Sequence, residues 1–274
     1  MTAPAAVRTS DAHRARLPSL RELWRYRELL RSLAARDLKV KYQRSALGFV
    51  WTLLNPILTV GVLVVVFHYI VKIHVEQYWA FVLSGYFAWN FVMQMLNTST
   101  YVVAEHGALR RSVAFPSEVL VFGAAAARLV EFAVELGLII VALVLWRHHG
   151  LPASYLLLPV LIVIQLLLTI GLVMPIATLS VFYTDVQHAL PIALMSLFYV
   201  SPVFYPASLV PAAVRDLYML NPIADLLTLY HTVLYDGRFP SAALLGATAA
   251  VSLVLYLAGS AIFNRYQALF AEVV

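Results

Sequence analysis

The sequence predicts an all-α integral membrane protein: six transmembrane helices, an N-terminal amphipathic interfacial helix, and two short re-entrant helices before the last span. Three observations predict it. Of 274 residues, 62% are hydrophobic and only 12% are charged, about half the charged share of a soluble domain. Six apolar runs approach the ~20 residues that a helix needs to cross a bilayer core; they fall at roughly 49–71, 79–103, 119–146, 155–182, 189–204 and 242–263. Finally, 11 of the 19 Lys and Arg residues lie at or before Arg44, which places the N-terminus in the cytosol by the positive-inside rule.

Residues 1–18 carry Pro4, Pro18 and no apolar periodicity, and read as a flexible cytosolic tail. Residues 19–46 read as an amphipathic helix and a basic approach to the membrane. Ser19 and Glu22 make a capping box, and Leu20, Leu23, Trp24, Tyr26, Leu30, Leu33 and Ala34 recur near helical spacing opposite Arg21, Arg25, Glu28, Ser32 and Arg36. Such a helix is expected in the interface plane, basic side towards anionic headgroups, with packing on a soluble partner as the plainer alternative. No apolar core with a small-residue cleavage site precedes the first run, so that span is expected to act as its own targeting signal.

Residues 47–274 form the six-span domain. Six crossings return the C-terminus, with Arg265, to the cytosol and put Arg110 and Arg111 inside; Arg147, His148 and His149 fall outside, a minor departure from the charge rule. The third span holds Arg128, Glu131 and Glu135 at spacings of three and four, hence on one face. The plain reading is an intramembrane ion pair that neutralises itself; a proton relay competes, without a clear acidic or His partner on another span. Residues 206–236 are too apolar for a loose loop and are broken by Pro206, Pro211 and Pro222, with Pro240 beyond. Two helices dipping into the outer leaflet fit them, with Asn221-Pro222 at the turn.

Chemistry is conspicuous by absence. No Gly is followed by Lys, so there is no phosphate-cradling nucleotide loop, and no metal-ligand cluster or nucleophile elbow is present. No catalytic residue is predicted, and no metal site. Asp185, Asp216, Asp225 and Asp236 read as solvated or interfacial carboxylates. With no cysteine, disulfides and thiol-bound metals are excluded; the compartment is not identified.

Five segments carry a family resemblance: KVKYQRSALGFVWTLLNP at 39–56, RRSVAFPSEVL at 110–120, VFYTDVQH at 181–188, SPVFYP at 201–206 and LNPIADLL at 220–227. In this order they resemble the membrane subunits of ABC-2 type polysaccharide exporters, the permeases of O-antigen, teichoic acid, capsule and galactan, and the resemblance spans about residues 20–270. It implies a homodimer of six-span subunits in the bacterial plasma membrane, associated with two copies of a separate ATPase subunit that binds ATP and Mg. Together they would move a polyprenyl-linked polysaccharide outward; no cofactor is implied for this chain, and no nucleic acid.

On the matching positions, Lys39, Lys41, Tyr42, Arg44 and Trp51, with Gly48, correspond to the inner end of the channel, where a basic block would meet lipid phosphate. Positive-inside anchoring explains each cation equally well. Arg110, Arg111, Phe115, Pro116 and Glu118, within about 106–118, resemble the coupling helix that seats in the ATPase; an ordinary loop is the alternative. Asp185 would join this contact, although Thr184 stands where the family pattern F-x-R-D-[IV] has Arg. The family places its channel between first and fifth spans at the dimer interface, so Tyr86, Phe87, Trp89 and Phe91 of the second span, and Phe198, Tyr199, Phe204 and Tyr205 of the fifth, are candidate stacking surfaces for sugar rings. Ordinary packing and interfacial belts explain most such aromatics. An ABC-2 exporter of a lipid or drug, a gradient-driven secondary transporter with inverted repeats, and a membrane enzyme acting on lipid-linked sugar are the alternatives.

Overall fold

The chain is described by a computed structural model covering residues 24–43, 45–103, 115–147, 150–218 and 220–270. Among these residues there are helices and no strands. Nine α-helices follow one another among the described residues: α1 Arg27–Tyr42, α2 Trp51–Leu63, α3 Tyr78–Ser99, α4 Glu118–Arg147, α5 Leu158–Phe182, α6 Asp185–Val200, α7 Ala212–Tyr218, α8 Pro222–Tyr230 and α9 Ala242–Tyr266. The capping box at Ser19 and Glu22, and the cations Arg44, Arg110 and Arg111, lie outside the described residues.

Among the described residues, four helical segments are long and apolar enough to cross a membrane: Gly48–Ile70, Glu118–Trp146, Ala153–Phe182 and Ala242–Tyr266. The first joins a short 3-10 turn, α2 and a π-helical stretch at Val64–Ile70. The runs at 79–103 and 189–204 are different. Helix α3 has 22 residues but is studded with Ser84, Asn90, Gln94 and Asn97, and α6 has only 16 residues, roughly 24 Å at 1.5 Å per residue, shorter than the ~30 Å hydrocarbon core.

Helix α3 is the centre of the molecule. Tyr78, Val82, Phe87, Trp89, Phe91 and Val92 are fully buried, and α4, α5, α2 and α8 all pack on it. Helix α9 packs chiefly on α5, with Gly259 against Gly171.

Helix α1 packs along α4. Its Leu33 and Ala34 are buried, and a Cβ placed on Gly123 of α4 would stand 3.0 Å from the Leu33 Cβ. Eight residues further along both helices, Lys41 meets Glu131. Equal steps in the same sense mean that α1 runs parallel to α4 over about 12 Å. Part of its apolar face, at Leu33 and Ala34, is thus covered by the protein's own third apolar run, while Trp24 stays exposed.

The segment 206–236 holds two short helices, α7 and α8, the latter continued by a π-helical turn at His231–Tyr235. Asn221 caps α8, its side chain accepting from the Ile223 N–H at 3.0 Å, and Pro222 sits in the first turn, where a missing N–H costs nothing. Pro222 therefore begins a helix rather than ending one. Ile223, Leu226, Leu227, Leu229 and Tyr230 are buried, so α8 is an interior element of the bundle.

Candidate functional site

The densest polar site lies where α1, α2, α3 and α4 meet. Arg128 and Glu131 sit one turn apart on α4, and Arg128 Nη1 donates to Glu131 Oε2 at 2.6 Å. Its Nη2 reaches both oxygens of Glu135 at 3.0 Å. Arg128, Glu131 and Glu135 are 5%, 2% and 0% exposed, so none of these charges is held there without an opposite one beside it. Asn90 of α3 adds a donor to Glu135 at 3.4 Å, and Gln94 donates back to Asn90 at 3.0 Å.

Glu131 has further partners from outside the third run. Lys41 Nζ lies 2.8 and 3.0 Å from its two oxygens, and the Tyr42 hydroxyl donates to Oε1 at 2.5 Å. The same hydroxyl is 2.7 Å from Thr52 Oγ1 in the first turn of α2. Burial first, and then the bond to Glu131, push the Tyr42 phenol well above its ordinary pKa, so it stays protonated and donates. The carboxylate thus joins α1 to α4, and the Tyr42 hydroxyl extends the link to α2. Between α1, α3 and α4 a half-open cavity of about 510 Å³ reaches this cluster, lined by Arg36, Lys41, Gln94, Thr98, Tyr101 and Arg128 among others.

The remaining inner-end candidates are simply placed. Lys39 is exposed on α1, and Trp51 is exposed at the start of α2. Gly48 takes φ +51, a left-handed conformation that side chains resist, where the chain turns into the first apolar helix. Thr52, Asn90 and Gln94 were missed by the sequence reading; the signal available was a polar side chain inside an apolar run.

The turn ahead of α4 packs on the protein itself. Phe115 packs partly against the core, Pro116 accepts from the Val119 N–H at 3.1 Å, and Glu118 is only 3% exposed in the first helical turn. Its carboxylate suits the positive end of α4 but offers no exposed charge to a partner. Asp185 is exposed in the first turn of α6 and makes no ion pair among the described residues. Nearby, Gln187 donates to the Thr100 carbonyl at 3.4 Å, tying α6 to the end of α3.

The aromatics divide into two groups. Tyr86, Phe87, Trp89 and Phe91 are buried and act as core side chains; a stacking surface needs an open ring face, and these have none. In the second group Phe198 and Phe204 pack on each other with centroids 5.3 Å apart. Phe204 stacks on Phe67 at 4.3 Å, and Phe198 lies 5.6 Å from Trp89. The Tyr78 hydroxyl donates to the Phe204 carbonyl. Tyr205 is partly buried and donates to the Tyr199 carbonyl at 3.0 Å. Tyr199 keeps an open face, 53% exposed.

Comparison with known proteins adds the lineage. A sequence model described as "ABC-2 type transporter" matches residues 28–235. The chain is 35% identical over 257 residues to the O-antigen export system permease protein RfbA of Myxococcus xanthus, covering 92% of this chain and 98% of that one. It is 22% identical over 248 residues to the protein of the same name from Klebsiella pneumoniae, covering 90% of this chain and 95% of that relative. With several helices apolar enough to cross a bilayer, this multi-pass membrane protein belongs to the ABC-2 type transporter family.

Proposed function

We propose that this chain is the membrane subunit of an ATP-driven exporter that moves a lipid-linked polysaccharide outward across the plasma membrane. The observation that carries this is the end-to-end similarity to a permease named for O-antigen export, over 92% of this chain. The sequence lacks a nucleotide-binding loop, which fits a subunit whose energy comes from a separate ATPase.

In this reading there are six crossings, α3 and α6 completing the set, with both termini in the cytosol as the basic N-terminal segment favours. The chain pairs with a second copy and two ATPase subunits. Val62, Val65 and Tyr69 on the first apolar helix, with Ile192, Met195 and Tyr199 on α6, are exposed and supply an apolar surface for the second copy, with the glycan path between. Phe115 and Pro116, with the segment before them, receive the ATPase. ATP binding in the partner favours one of two arrangements of the bundle and so opens the path.

The test is to tag the chain, solubilise native membranes gently, and identify what co-purifies while assaying ATP hydrolysis and surface glycan. The expected result is a stoichiometric ATPase subunit, with hydrolysis and surface glycan lost together when Phe115 and Pro116 are replaced. A chain that purifies without any ATPase, from membranes whose other transporters stay intact, overturns the proposal.

A further inference from the structure

The polar cluster has a sealed half and an accessible half. Arg128 and Glu135 are enclosed, their side chains 5% and 1% exposed, whereas Lys41 is 46% exposed where it reaches Glu131. Even the Arg128 Nε has no contact with solvent. A buried pair of this kind is broken only at large cost. The Lys41 bond is open on the lysine side, and Glu131 keeps Arg128 when it breaks, so it is the easier of the two to exchange.

Geometry gives that difference a use. Helix α1 touches α4 at Leu33 on Gly123 and again at Lys41 and Tyr42 on Glu131. On its α3 side it faces the 510 Å³ cavity, so little packing holds it there, although Gln94 of α3 also accepts from Lys41 at 3.3 Å. Residues 43–47 alone separate α1 from the 3-10 turn that opens the first apolar helix, and Tyr42 is bonded to Thr52 inside it. The position of α1 and that of the first span's inner turn are therefore set at one carboxylate.

We infer that Glu131 is a positioning residue that clamps the end of α1 and the first turn of α2 to α4, so that these three elements move as one body until the Lys41 bond is released. Glu131 lies 13 residues beyond Glu118, about 20 Å along a helix. On the exporter reading above, a push delivered at the start of α4 reaches α1 and the first span through Glu131.

The chain has no cysteine, so L33C combined with G123C reports α1 docking without background. The two Cβ positions, 3.0 Å apart, need to part by only about 0.5–1 Å to reach disulfide geometry. In the full complex in native membranes, oxidation is expected to form this bond readily. Adding K41Q is expected to slow it about tenfold, the equilibrium equivalent of one charge-assisted hydrogen bond, Y42F less, and K41R is expected to restore it. K41Q without the cysteines is expected to lower glycan exported per ATP hydrolysed while hydrolysis continues, which a purely structural loss does not do. Equal oxidation rates with Lys, Gln and Arg at position 41 overturn the clamp and leave the exporter reading intact. Lys41-dependent oxidation in a chain that forms no ATP-hydrolysing complex supports the clamp and overturns the exporter reading.

Discussion

Gly259 of α9 lies directly against Gly171 of α5: a Cβ on Gly259 would stand 2.1 Å from the Gly171 carbonyl oxygen. A Cβ on Gly171 would in turn meet the Tyr256 nitrogen at 2.5 Å. Both obstacles are backbone, which cannot rotate away. Small residues at such crossings let helix backbones approach closely where lipid gives no hydrophobic drive to association. Gly259→Ala is therefore expected to push α5 and α9 apart, destabilising by about 2 kcal/mol or more. Gly246→Ala on the same helix has nothing within 4 Å and is expected to be neutral or slightly stabilising. Thermal unfolding of the two purified variants in one detergent checks the contrast, and equal midpoints refute it.

The Arg128 cluster predicts a non-additive series. Removing Arg128 alone leaves Glu135 buried without its cation, while Glu131 keeps Lys41. Arg128→Met is expected to destabilise by about 3–5 kcal/mol. Adding Glu135→Gln removes the stranded charge and is expected to recover part of that loss, because the two sites share one interaction. Unfolding of the single and double variants measures it; a double variant weaker than Arg128→Met contradicts it.

The apolar runs of 49–71, 119–146, 155–182 and 242–263 could be read from sequence because helix length and hydropathy are local properties. So could the shared face of Arg128, Glu131 and Glu135, since a spacing of three and four fixes it. What joins them to Lys41 could not: the two segments are 90 residues apart, and no periodicity encodes which helices become neighbours. The second-run aromatics show the same limit. In a membrane helix the lipid face and the packed face are both apolar, so Phe87 and Trp89 give no sign of which way they point. Pro222 shows a different one, since a proline breaks one helix and begins another equally well.

Asn221 predicts a local effect. Its side chain accepts from the Ile223 N–H at 3.0 Å and donates to Ser201 Oγ at 2.9 Å, capping α8 and tying it to the end of α6. Asn221→Ala loses both and is expected to cost about 1–2 kcal/mol. Asn221→Asp keeps the cap acceptor and loses the donor, and is expected to fall between. Hydrogen exchange of the α8 amides checks the order, the alanine variant exchanging fastest.

Gly85 and His231 predict a compensating pair. A Cβ on Gly85 would lie 2.5 Å from His231 Nε2 and 2.9 Å from Cε1. The imidazole has little freedom to retreat: its ring stacks on Phe81 with centroids 4.0 Å apart, and the residue is 7% exposed. Gly85→Ala is therefore expected to destabilise by about 1–3 kcal/mol through overpacking. His231→Ala alone is expected to cost a similar amount through the cavity it leaves. Together the new methyl occupies part of the space that the ring vacates, so the double variant is expected to be more stable than the sum of the single losses by about 1 kcal/mol or more. A thermal-unfolding cycle over the four proteins decides it. Strict additivity shows that the ring moves aside for the methyl, and that the close approach of α3 to the turn after α8 does not constrain residue 85.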